Sequence, residues 1–239
     1  MAVDMNTLTF AEAAKMIDHS LLQPTLTDVD LEEGCRLARS YNVASVCIKP
    51  YAVALARDLL AGSTVAVGTT IGFPHGGHRT SIKVAEAERA IADGATELDM
   101  VVNIGKVLGS DWRYVSEDIS AVVQAAHARR ALVKVIFENC FLKDSHKERL
   151  CHICGEVYAD FVKTSTGYGA SGATDEDLRL MRRCSPRHVQ VKAAGGVRKF
   201  DRLLAVRAIG VTRVGATATR AILDEARARL AGDHKEPKA

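Results

Sequence analysis

Short apolar runs alternate with longer amphipathic stretches along almost the whole chain. Runs at 43–48 (VASVCI), 64–71 (TVAVGTTI), 96–102 (TELDMVV), 131–137 (ALVKVIF), 161–164 (FVKT), 189–193 (VQVKA) and 211–214 (VTRV) read as strands, several of them buried on both faces. An eighth candidate, MIDHSLL, precedes them. The stretches between them predict helices over 28–40, 51–60, 79–92, 111–129, 143–157, 175–183, 199–209 and 217–230. Thr9 can cap a further short helix at 11–15, Asp28 or Asp30 the helix at 28–40, and Gly94 closes the helix at 79–92. Strict strand–helix alternation implies a parallel sheet with helices on its faces. Eight such units in 239 residues predict an α/β fold. Specifically, they predict a single closed (β/α)8 TIM barrel over 1–232 with one extra N-terminal helix. The rival, an open doubly wound sheet, calls for a GxGxxG turn after its first strand, which the chain lacks. The polar tail at 233–239 has no apolar periodicity and is expected to fray.

A barrel of this kind carries its active site at the C-terminal ends of its strands. The polar residues at or near those ends are Asp18, Cys47, Thr69, Asp99, Asn103, Glu138, Lys163 and Lys192. Side chains alternate along a strand. Glu97 therefore shares a face with Asp99, Lys134 with Ile136 and Glu138, Phe161 with Lys163, and Gln190 with Lys192. That polar face is taken as the barrel interior.

Lysine is almost never fully buried without a partner or a function. Lys163 ends a buried strand and runs into the small-residue loop TSTGYG. Desolvation, or a second cation, lowers a lysine pKa and exposes a nucleophilic amine. Lys192 ends the next strand in the same way, with Gly195-Gly196 after it, so the two ammonium groups are expected to be neighbours. Asp99 is the candidate proton shuttle for imine chemistry. The competing reading of both lysines is an ion pair in the barrel interior, for Lys163 with Glu97, Asp99 or Glu138. Three turns, Thr166-Gly167, Gly195-Gly196 and Gly215-Ala216-Thr217, follow the last three strands, and the third runs into a helix. Their backbone N–H groups suit a phosphate. Together these features suggest an amine-catalysed reaction on a phosphorylated carbonyl compound.

Other chemistry-bearing residues add less. Cys47 at a strand end reads first as a buried thiol, and His19 equally as an interior histidine or a catalyst. His75 and His78 flank GFPHGGH without a third ligand, so no metal site is inferred. The pair Cys151 and Cys154 (CHIC) falls inside a predicted helix and reads as ordinary helix residues.

Bulk properties narrow the class. Net charge is +3 with scattered arginines, which gives no case for nucleic acid. Hydrophobic content of 47% is enough for a sizeable core. No apolar stretch approaches the roughly 18 residues of a membrane span, and the N-terminal segment has no signal-peptide pattern. Six cysteines without such a signal point to the reducing cytoplasm.

From about Ile17 to about Leu223 the chain resembles the deoxyribose-phosphate aldolases, which are class I (Schiff-base) aldolases. The resemblance rests on IDHSLLQPT, VCIKP, VGTTIGFPHG, GATELDMVVNIG, VKVIFENCFL, DFVKTSTGYG, VKAAGGVR and TRVGAT, in the family's order. It implies reversible cleavage of 2-deoxy-D-ribose 5-phosphate to acetaldehyde and D-glyceraldehyde 3-phosphate, within deoxyribose phosphate catabolism. By this resemblance Lys163 is the Schiff-base lysine, Lys192 the lysine that perturbs it, and Asp99 the acid/base residue. Phosphate falls to Thr166, Gly167, Gly195, Gly196, Thr217 and Ala218, and Asp18, Ser20 and Cys47 lie near the sugar. No metal or organic cofactor is implied, no nucleic-acid or membrane partner, and a homo-oligomer, a dimer, is expected. Two positions depart from the family: Tyr168 stands where some members have a phosphate-holding lysine, and Thr217-Ala218 where two serines are common.

Overall fold

The computed structural model describes residues 8–232. The predicted frayed tail lies outside them. Eight strands form a closed, all-parallel barrel in sequence order: β1 (Ile17–Leu21), β2 (Ser45–Ile48), β3 (Ala66–Ile71), β4 (Glu97–Val101), β5 (Leu132–Ile136), β6 (Phe161–Lys163), β7 (Gln190–Ala194) and β8 (Arg213–Ala216), with β8 pairing back onto β1. The expected (β/α)8 barrel is therefore the fold. The helices are α1 (Phe10–Ala14), α2 (Asp28–Tyr41), α3 (Val53–Leu60), α4 (Thr80–Asp93), α5 (Ile104–Leu108), α6 (Trp112–His127), α7 (Asp144–Glu156), α8 (Asp175–Cys184), α9 (Phe200–Ile209) and α10 (Thr219–Gly232).

Alternation along the strands sorts the side chains as expected. Leu98 and Met100 on β4, Val133 and Val135 on β5, and Val162 on β6 point out into the apolar layer under the helices. Glu97, Asp99, Lys134 and Lys163 point into the barrel, where their charged ends meet.

Local chemistry explains most helix boundaries. Thr9 and Glu12 form a capping box at α1, as expected for Thr9. At α2 the expected cap is corrected: Thr27 is the N-cap, and Asp30 reaches back from the third helical position. Gly94 closes α4 at φ +117°, with the Arg57 side chain against it. Two short elements were not expected, α5 and a 3-10 turn at Asn139–Phe141. In α5, Asn103 takes up the Lys106 amide, so this strand-end residue is a helix cap. The last strand and helix each begin two residues later than the pattern predicts, so that β8 starts at Arg213. Cys151 and Cys154 are buried in α7 as helix residues, and burial pushes the Cys151 thiol up to about 12.

Outside the barrel, Lys83 on α4 is fully buried. Its ammonium lies 2.6 Å from Asp118 on α6 and donates to the Val101 carbonyl at 2.8 Å. This pair clamps two helices to the end of β4. Both residues lie on the buried faces of their helices, Lys83 in line with Ala87 and Ala90 and Asp118 between Val115 and Val122.

Candidate active site

Lys163 and Lys192 are register partners on adjacent strands, as the spacing predicted. Their ammonium groups share one carboxylate oxygen, Asp99 Oδ2, at 2.8 and 2.7 Å. The other oxygen, Asp99 Oδ1, takes Lys134 at 3.0 Å. Lys134 also pairs with Glu97 at 2.5 Å and Asp18 at 3.1 Å. Lys192 reaches Asp18 at 2.5 Å. From below, Arg213 bonds Asp18 at 2.5 Å and Glu97 at 3.0 Å.

Three carboxylates thus face four cationic side chains in one buried cluster, and one cation has no full counter-charge. The arrangement decides which. Lys134, Lys192 and Arg213 each touch two or three carboxylates, whereas Lys163 touches only Asp99 and shares it with Lys192. Burial, followed by the neighbouring Lys192, lowers the Lys163 pKa against the pull of Asp99. Lys192 moves the other way: burial disfavours its charge, but Asp18 and Asp99 outweigh it and raise the pKa. Lys134 is raised for the same reason. Burial works against the Asp99 charge too, yet three lysines hold its carboxyl well below the usual carboxylate range. Of the four cations, Lys163 is the one disposed to be a neutral amine.

Above this cluster lies a cavity of about 200 Å³ at the C-terminal end of the barrel. Asp18, Ser20, Cys47, Lys163, Lys192, Thr166, Gly167, Gly195, Gly196 and Thr217 all line it. Two expected site residues do not. Asp99 sits fully buried behind the two amines, and Ala218 packs against the apolar layer. Burial pushes the Cys47 thiol up to about 11, which keeps it protonated near neutral pH. Leu22, Gln23, Val197 and Arg198 also line the cavity and were missed. Arg198 had a signal, since it stands two residues after the glycine pair of VKAAGGVR. Lys134 had one too, in its inward register. Arg213 also falls inside the expected strand at 211–214, but its partners Asp18 and Glu97 lie on β1 and β4 and meet it only when the barrel closes.

The loops over the cavity are shaped by glycine. Gly195 is left-handed at φ +81°, and a Cβ there would lie 2.7 Å from Gly172 Cα, so the loops after β6 and β7 touch backbone to backbone. Gly167 and Gly196 are also left-handed, with open space where a side chain would begin. Thr166 gives both its amide and its hydroxyl to the buried carboxylate of Glu138. Glu138 therefore braces the loop after β6 and does not join the interior cluster. Thr69 likewise donates its hydroxyl to the Ile48 carbonyl, and Gln190, exposed, accepts from Thr212. His75 and His78 are exposed on the loop after β3.

His19 is an interior histidine beside the cavity. Its Nδ1 lies 2.8 Å from the Thr219 hydroxyl, and burial lowers its pKa from 6.5 to about 4. Above pH 6.5 both folded and unfolded states are neutral there. Between about 6.5 and 4 only the unfolded state takes the proton, so stability falls as pH falls. The expected loss is about 3 kcal/mol by pH 4. Urea unfolding of the parent and of His19→Asn at pH 7.5 and 4.5 measures it. The parent should lose more stability than the variant, and equal losses would assign the slope to other groups.

A parallel barrel with register-paired lysines on β6 and β7, joined through one buried carboxylate, belongs with the barrel aldolases. The profile of the DeoC/LacD family aldolases matches residues 5–225. The chain is 58% identical over 221 residues to a deoxyribose-phosphate aldolase of Rhodopirellula baltica, covering 92% of each. It is 48% identical to one of Clostridium perfringens, covering 89% of this chain and 95% of the other. Among solved structures, the tetrameric deoxyribose phosphate aldolase of Aeropyrum pernix superposes with a TM-score of 0.85 at 27% identity, covering 92% of this chain and 93% of that one. The chain belongs to the DeoC/LacD aldolase family.

Proposed function

We propose that this protein cleaves 2-deoxy-D-ribose 5-phosphate reversibly to acetaldehyde and D-glyceraldehyde 3-phosphate, through a Schiff base on Lys163. The observation that carries this reading is that Lys163 and Lys192, both lining the cavity, share one oxygen of Asp99 buried behind them. In the reaction, neutral Lys163 adds to the open-chain aldehyde. Loss of water gives an iminium, which serves as the electron sink. The hydroxyl on the third carbon gives up its proton and the C2–C3 bond breaks, with its electron pair passing into an enamine. Protonation of that enamine, then hydrolysis, releases acetaldehyde and restores the amine. No metal or organic cofactor enters these steps.

Asp99 does not line the cavity, so the proton of the substrate hydroxyl reaches it through Lys192 or a water. Gly167, Gly195 and Gly196 offer backbone to the phosphate, with Arg198 as a nearby cation, while Thr166 is held by Glu138. The thiol of Cys47 and the Ser20 hydroxyl face the sugar. A cytoplasmic homo-oligomer belongs to the same reading: no described helix is long and apolar enough to cross a membrane, and the Aeropyrum pernix relative is a tetramer.

Borohydride added during incubation with 2-deoxyribose 5-phosphate, followed by peptide mass mapping, tests the proposal. An adduct on Lys163 is expected. An adduct on Lys192 would reverse the lysine roles, and none on the folded protein would overturn the reading. The trapping rate should rise with pH to an inflection below 10.5, the ordinary lysine value, because the Lys163 pKa is lowered. An inflection at 10.5 or above would remove the argument from charge.

A further inference from the structure

Tyr168 immediately follows the Gly167 turn and reaches across the mouth of the cavity. Its hydroxyl donates to the Leu22 carbonyl at 2.9 Å, on the loop after β1. Its ring meets Phe73, on the loop after β3, edge to face at 5.5 Å and 86°. Its amide donates to the Thr166 hydroxyl at 3.0 Å, and that hydroxyl in turn donates to Glu138. The residues on either side of Gly167 are therefore tied down, Thr166 to the end of β5 and Tyr168 to the far wall. Gly167 itself is left-handed with nothing against it. Leu22 is itself a wall of the cavity.

We infer that Tyr168 is a positioning residue for the phosphate end of the substrate. Its hydroxyl fixes the distance between the Gly167 backbone and the loop after β1, and so presets the cradle before the phosphate arrives. The physical ground is preorganisation. Glycine has more conformational freedom to lose than any other residue, and a ligand that must immobilise it loses affinity. One hydrogen bond across the mouth removes that cost in advance. The chemistry of the lysines lies deeper and does not touch Tyr168, so the effect should fall on phosphate binding and leave bond cleavage alone. This inference rests on the proposed function for its substrate but not for its binding prediction.

Tyr168→Phe keeps the ring on Phe73 and removes only the hydroxyl. The expected result is a KM for 2-deoxyribose 5-phosphate raised about fivefold, the equivalent of roughly 1 kcal/mol, with kcat unchanged. With 2-deoxyribose, which lacks the phosphate, kcat/KM should change less than twofold. Equal losses on both sugars would mean a merely structural contact and would overturn the inference, as would no change on either. Titration calorimetry with inorganic phosphate gives a readout independent of turnover. The variant should bind it about fivefold more weakly than the parent, and equal affinity would overturn the inference. A parent that binds phosphate but cleaves neither sugar would sink the proposed reaction while leaving the calorimetric comparison to decide on Tyr168.

Discussion

Lys163→Arg is expected to abolish the borohydride-trapped adduct and to lower turnover on the order of 10⁴-fold or more, as removal of a covalent nucleophile does. Arginine keeps the positive charge beside Asp99 but is not deprotonated in proteins, so it cannot form the imine. Charge alone therefore cannot rescue the variant. Lys192 stands one strand away and touches the same carboxylate oxygen, yet it should not substitute. Asp18 and Asp99 together raise its pKa, which keeps it an ammonium. A folded arginine variant that retains activity would end the Schiff-base account. Lys163→Met removes charge and amine together and controls for crowding by the guanidinium. Both variants should be equally inactive.

Asp99→Asn separates two roles that the geometry places on one side chain. The carboxylate neutralises three buried ammonium groups, and it bridges the two that face the cavity. Removing one partner of a buried ion cluster typically costs about 3–5 kcal/mol, because the remaining charges stay desolvated. Urea unfolding should show a loss of that size. Asp99 also raises the Lys163 pKa, so its removal should lower that pKa further. The inflection for imine trapping with acetaldehyde should then move to lower pH. Turnover of the sugar phosphate should nevertheless fall about 10²–10⁴-fold, the usual worth of positioned proton transfer. Faster trapping at low pH with slower cleavage would support both roles. An unmoved inflection would show that Asp99 does not set the state of the nucleophile.

Much of this arrangement is legible in local pattern. Strand–helix alternation repeats over eight units, and each unit needs only neighbouring residues to declare itself. The inward register of Glu97, Asp99, Lys134, Lys163 and Lys192 follows from the two-residue period of a strand. Adjacency of Lys163 and Lys192 follows from one strand–helix unit between them. The glycine turns after the last strands point to backbone donors in the same way.

The choice of partners belongs to the tertiary structure. Glu97, Asp99 and Glu138 all sit on the same predicted face, and nothing local says that Lys163 takes Asp99. Closure of β8 onto β1 brings Arg213 to Asp18 and Glu97, which leaves Lys163 as the least compensated cation. The Glu138 brace on Thr166 and the reach of Tyr168 to Leu22 likewise join distant segments. The sequence by itself therefore determined the barrel and the identity of the lysines. Which lysine has the lowered pKa, and what holds the loop above it, was decided only in three dimensions, because a pKa depends on distances between charges that the chain brings together from opposite ends.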